Sequence, residues 1–221
     1  LLSTENGQRS AKNLRCVLFD FDFTLCDSAA AHLDCVRFAL SEAGLPVPTD
    51  AVILSSVGSL HEAFTGFAPG HPPADLVARA QARMDQTFLD LARLYSPVES
   101  VVAQLQAREV LLGVVSTKRA HRIETLLERV GLRGAFAIVV GGDSVAMMKP
   151  HPEGIDRALA ALACPTSAAV YVGDAVSDLH AAQAARIGFI GVQTGGVTRA
   201  AWASQGHETV LDDLEELIEL L

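Results

Sequence analysis

Apolar and polar positions fall into two regimes along this chain. Nearly continuous apolar runs of four to six residues occur at 16–19, 110–115, 137–140, 168–172 and 189–192. Such runs, rich in β-branched residues, predict strands buried on both faces. Between them the spacing turns helical over 119–131, 152–163, 176–187 and 198–204, and an amphipathic stretch, 211–221, closes the chain. Strands alternating with helices predict an α/β fold with a doubly wound parallel sheet. The alternation breaks between about 29 and 108. There the pattern predicts helices over 29–43, 50–56, 74–94 and 98–108, no convincing strand, and Pro/Gly-rich joints at 44–48 and 66–73. The expected organisation is a core domain made of residues 1–28 and 96–221, with a helical cap domain, 29–95, inserted after the first strand.

Composition narrows the class. Half of the 221 residues are apolar and 5% are aromatic, which excludes a disordered or collagen-like chain and leaves Ala, Leu and Val to fill the core. The net charge of −9 makes a nucleic-acid partner unexpected. No apolar run nears the roughly 18 residues a bilayer crossing needs, so no membrane partner is expected. The chain opens Leu1-Leu2-Ser3 without Met or a secretory pattern, and its four cysteines form no CxxC pair. The expectation is a soluble cytoplasmic protein, monomeric or homodimeric.

Candidate chemistry gathers where predicted strands end. Asp20 and Asp22 follow the first strand, and open α/β sheets bind ligands beyond such ends. Two carboxylates crowded there repel, and a divalent cation is the usual remedy. A second acidic pair, Asp174 and Asp178, follows 168–172, with spacing that places both on one side of a helix entry. Capping of that helix is the competing explanation. Ser116, Thr117 and Lys118 follow 110–115, and Lys149 precedes Pro150. The chain has 14 Arg but three Lys, at 12, 118 and 149, and two of the three stand at these ends.

With these four motifs in this order, separated by 96, 33 and 25 residues, the chain resembles the haloacid dehalogenase superfamily, in its helical-cap, phosphoglycolate-phosphatase-like branch. The resemblance implies a Rossmann-like core and a Mg²⁺-dependent phosphatase acting on a small phosphorylated metabolite, such as phosphoglycolate, a sugar phosphate or a nucleotide. It further implies that Asp20 is the nucleophile forming an aspartyl-phosphate and Asp22 the acid and base. Asp20, the Asp22 carbonyl and Asp174 would hold the metal, with Asp178 acting through a metal-bound water or by orienting Lys149. Ser116 and Lys149 would bind the phosphoryl group. Thr117, Lys118 and the cap residues Gly58 and Ser59 are the substrate-binding candidates, with His61, Arg37, Arg79, Arg83 and Arg93 as weaker ones.

The family usually has Gly where this chain has Phe23, and a position of positive φ would strain a Phe. Asp22 argues against a dehalogenase, and the absence of Lys from 29–108 argues against a Schiff-base phosphonoacetaldehyde hydrolase. A sugar-phosphate mutase and a catalytically silent binding protein of the same fold stay open. A phospho-accepting receiver is disfavoured by length and motif order.

Overall fold

The protein is described by a computed structural model covering residues 14–56 and 58–221. Its strands are β1 (Cys16–Phe19), β2 (Cys26–Asp27), β3 (Arg93–Leu94), β4 (Leu111–Val115), β5 (Ile138–Val140), β6 (Ala169–Gly173), β7 (Gly188–Val192) and β8 (Val210–Leu211). Four helices lie between β2 and β3: α1 (Ala29–Glu42), α2 (Asp50–Leu54), α3 (Leu60–Phe67) and α4 (Pro73–Leu91). After β3 come α5 (Val98–Ala107), α6 (Ala120–Arg129), α7 (Glu153–Ala161), α8 (Val176–Ala185), α9 (Arg199–Ser204) and α10 (Glu216–Leu220). The chain divides into a sheet unit, up to Cys26 and from Leu94 onward, and a helical unit, Asp27–Arg93.

In the sheet unit the strand order is β5-β4-β1-β6-β7-β8, parallel throughout. This is the expected doubly wound α/β architecture. β1 is central and wholly buried, as is β6, because strands covered on both faces by helices have no wet side. Phe19 stands level with Val114 of β4 and Val172 of β6. The chain runs outward from β1 through β4 to β5, then returns to the other side of β1 with β6. This reversal makes the carboxyl ends of β4, β1 and β6 the switch point where such sheets bind ligands. Asp20, Ser116 and Asp174 are therefore neighbours by topology, each one or two residues beyond the registered pairs.

Few aromatics suffice for this core because they are concentrated. Tyr171, Phe189, Trp202 and His207 form a continuous run of tilted and edge-on ring contacts with centroid separations of 6.4, 5.6 and 5.9 Å. Burying each large ring contributes roughly 2–3 kcal/mol. The four cysteines are buried and form no disulfide. Among the described residues no helix is long and apolar enough to cross a membrane.

In the helical unit α1 buries Ala31, His32, Cys35, Val36, Ala39 and Leu40, a stripe at helical spacing, and packs on α4. A bidentate pair reinforces the contact: Arg83 donates to Asp34 at 2.8 and 3.0 Å, and the Thr87 hydroxyl adds a bond at 3.0 Å. Arg37 pairs with Asp50, and Arg93 donates to the Ala92 carbonyl.

Four elements differ from the sequence expectation, the first being β2, which lies outside every expected strand run. β3 lies within the stretch expected to lack strands, and β8 overlaps the first residue of the amphipathic stretch 211–221. All three are two-residue strands, too short to leave a periodic signal. α3 was not expected; its flanking Gly and Pro residues read as a joint, yet Ser59 caps it by accepting from the Glu62 N–H at 3.3 Å.

Candidate active site

β1 ends at Asp20 because a carboxylate cannot continue an apolar strand without a partner. Its N–H still bonds the Val172 carbonyl at 2.9 Å, so the backbone stays in the sheet while the side chain reaches the edge. The chain then turns tightly, with the N–H groups of Leu25 and Cys26 both donating to the Phe21 carbonyl, at 3.0 and 2.9 Å. Phe23 sits in this turn at φ +58. Among the described residues, the other non-glycine positions of positive φ, Glu109, Ala163 and Arg186, each follow or end a helix, where such a reversal is ordinary. Phe23 has no such setting, and an L residue in this region costs about 1–2 kcal/mol. Phe23→Gly is expected to raise stability by about 1 kcal/mol, read as a higher urea midpoint at unchanged slope. An unchanged or lower midpoint would show that ring packing outweighs the strain.

Lys149 holds the centre. Its Nζ lies 2.9 Å from Asp20 Oδ1 and 2.6 Å from Asp178 Oδ1, with all three side chains buried. Asp178 uses its other oxygen to accept the Ala175 N–H at 3.0 Å at the start of α8. Capping and charge pairing are thus combined in one carboxylate. Asp174 accepts from the buried Thr24 hydroxyl at 3.1 Å. Asp22 pairs with Lys118 at 3.1 Å, in a contact where the lysine side chain is 6% exposed. Lys118 is therefore engaged with an acidic group of the site. Ser116 is buried, and its Oγ accepts the Lys118 N–H at 3.3 Å. Thr117 lies in the same loop, its carbonyl closely approached by Gly142. Gly58, at φ +131, and Ser59 belong to the helical unit, at the start of α3.

Two glycines admit these carboxylates. A Cβ on Gly173 would stand 2.5 Å from Asp178 Oδ2, and one on Gly195 would overlap the Asp174 carboxylate. Gly195 and Thr24 are site-shaping residues that the sequence did not mark. Neither stands in a pattern of its own, since Thr24 reads as part of a turn and Gly195 as part of a loop.

Burial pushes the Asp20 carboxyl up to about 6; Asp178 and Asp22 add to the rise and Lys149 opposes it. Burial also drives Asp174 well above the carboxylate range, aided by Asp20 and Asp178. Carboxylates at such a cost call for a further cation. Oxygens of Asp20, Asp174 and Asp178 lie within 4.8 Å of one another. Asp22 Oδ1 is buried without a hydrogen-bond partner, and Asp20 Oδ1 has the Lys149 ammonium beside it. Oxygen-only donors of this kind fit a hard divalent ion such as Mg²⁺. With Asp178 occupied at both oxygens, Asp20 and Asp174 have the spare capacity.

Comparison with known proteins agrees with this geometry. The chain is 30% identical over 215 residues to a phosphoglycolate phosphatase of Yersinia pseudotuberculosis, covering 94% of this chain and 93% of that one. It is 34% identical over 175 residues to a phosphoglycolate phosphatase of Xanthomonas campestris, covering 77% and 79%. A crystal structure described as a haloacid dehalogenase-like hydrolase from Bacteroides fragilis superposes with a TM-score of 0.87 at 27% identity, over 92% of this chain and 99% of that one. Residues 17–192, from β1 through β7, match the family model for haloacid dehalogenase-like hydrolases. An acidic cluster built around one buried lysine on this strand order has its explanation there: the chain belongs to the haloacid dehalogenase-like hydrolase family.

Proposed function

We propose that the protein is a Mg²⁺-dependent phosphatase that hydrolyses a small phosphomonoester, phosphoglycolate being the first candidate, through an aspartyl-phosphate on Asp20. The observation that carries this is Lys149, buried between Asp20 and Asp178 at the switch point, with Asp174 in the same cluster. An anionic nucleophile must approach a phosphate dianion, and a fixed cation beside it offsets the repulsion.

In the first half-reaction an Asp20 oxygen attacks phosphorus and the bond to the leaving alkoxide breaks. Asp22 acts as the acid of this step and gives that alkoxide its proton. In the second, Asp22 takes a proton from water, the water oxygen attacks phosphorus, and Asp20 and inorganic phosphate are released. Lys149 stays on Asp20 throughout, Asp178 holds Lys149, and Ser116 donates to a phosphoryl oxygen. Lys118 holds Asp22 beside the reacting bond. Asp20, Asp174 and the Asp22 carbonyl would hold Mg²⁺, which supplies charge neutralisation to the phosphoryl group. Asp22 favours full hydrolysis over dehalogenation, as it supplies the proton an alkoxide requires. Residues Asp27–Arg93 are assigned to substrate choice, with Gly58 and Ser59 as the first positions to vary. Buried cysteines in the thiol form agree with a reducing, cytoplasmic setting.

Phosphate release from phosphoglycolate, sugar phosphates and nucleoside monophosphates, assayed with Mg²⁺ and after exhaustive chelation, tests the assignment. Turnover that falls at least about a hundredfold on chelation is expected. Undiminished turnover would remove the metal from the proposal, and no release from any substrate would leave the silent binding protein.

A further inference from the structure

A lysine side chain has four rotatable bonds and does not aim its own ammonium. Two of the groups around Lys149 take no part in making or breaking bonds. Asp178 is one. The other is Tyr171, which is wholly buried on β6, level with Leu18 of β1. Lys149 Nζ donates to the Tyr171 hydroxyl at 3.1 Å, and that hydroxyl donates to the Val115 carbonyl at 2.6 Å.

A phenol has one hydrogen. With it committed to Val115, the oxygen meets Lys149 through its lone pairs, while Asp178 Oδ1 stands 3.5 Å off, at the limit of bonding distance. The ammonium also lies 5.6 Å from the centroid of the Tyr171 ring. Asp178 and Tyr171 each accept from Lys149, so two of its three N–H groups are fixed by the frame. The third remains for the Asp20 side of the site. A Phe would fill the same volume against Phe189, so bulk does not explain the hydroxyl. Val115 immediately precedes Ser116, and the link therefore ties the end of β4 to the lysine.

We propose that Tyr171 is a positioning residue: its hydroxyl, anchored on the Val115 carbonyl, aims the Lys149 ammonium at the reacting group. This rests on the phosphatase reading above and adds to it a residue outside the four motifs.

The test uses the full chain with Mg²⁺ and p-nitrophenyl phosphate. Tyr171→Phe should lower kcat about tenfold, the worth of one hydrogen bond to a charged group, and leave KM within twofold, because the aim matters most in the transition state. In a Lys149→Arg background the same change should add less than twofold, since the group it aims is gone. A kcat within twofold of the parent, a KM rise matching the fall in kcat, or the full tenfold loss in the Lys149→Arg background would each overturn the proposal.

A second measurement needs no variant at position 171. The chain has two tyrosines, so 3-fluorotyrosine labelling gives two fluorine signals. Lys149→Arg should move the signal of Tyr171 and spare that of Tyr95. No movement at Tyr171 counts against the contact. If the parent chain hydrolyses no phosphomonoester, the proposed function falls first and this inference with it. Hydrolysis that is indifferent to the Tyr171 hydroxyl sinks this inference alone.

Discussion

Asp20→Asn is expected to abolish phosphate release, by at least about a thousandfold, and to make the metal-free protein more stable. The first effect follows from removing the proposed nucleophile. The second follows from the environment of Asp20. Burial raises its carboxyl to about 6 despite Lys149 at 2.9 Å. A raised carboxyl contributes stability that is fully present below about pH 4 and lost as the pH climbs through about 6. Above that range the charged form is a burden on the fold, on the order of 3 kcal/mol. An amide of the same shape removes the burden and still offers Lys149 an oxygen. Melting curves in chelator at pH 7.5 should show the variant several degrees above the parent, and at pH 4.5 the gap should shrink to about a third. A variant that melts lower at both values would mean that the pairing with Lys149 outweighs the burial of the carboxylate.

Lys149→Met is expected to move stability the other way. It leaves Asp20, Asp174 and Asp178 crowded and buried without their common counter-ion. Removing one partner of a buried ion pair costs about 3–5 kcal/mol. The loss of a cation from the reacting centre should lower kcat by about 10²–10³. Urea titration and phosphate release measured on one preparation check both. The two substitutions share a site and both impair it, yet they separate in stability, which distinguishes electrostatic design from simple damage. A Lys149→Met chain as stable as the parent would show that the carboxylates are relieved by protonation alone.

What could be read from the sequence was whatever has a local signature. Asp20 stood out because an apolar run ends on it, and Asp174 for the same reason. Lys149 stood out because lysine is rare in this chain. The parallel sheet was legible because strands buried on both faces write continuous apolar runs. Tyr171 was hidden inside such a run, where a tyrosine looks like any other large core residue until its hydroxyl is seen on Val115. Gly195 was hidden because its neighbour, Asp174, is remote in the chain, so no spacing rule connects them. The pairing of Lys118 with Asp22 was equally invisible, since it depends on β4 lying beside β1. β3 and β8 form no pattern of their own; their neighbours in the sheets dictate them. The strain at Phe23 was foreseen on one condition, a positive φ, and the backbone at that position meets it.

The points where the helical insertion leaves and rejoins the sheet unit are stitched together within that unit: the Tyr95 N–H donates to the Leu25 carbonyl at 3.0 Å. The insertion thus hangs from a closed doorway. Evolution, or an engineer, can exchange everything beyond it for a different module, or shorten it to a tight loop, while the chemistry written into the frame is carried forward intact.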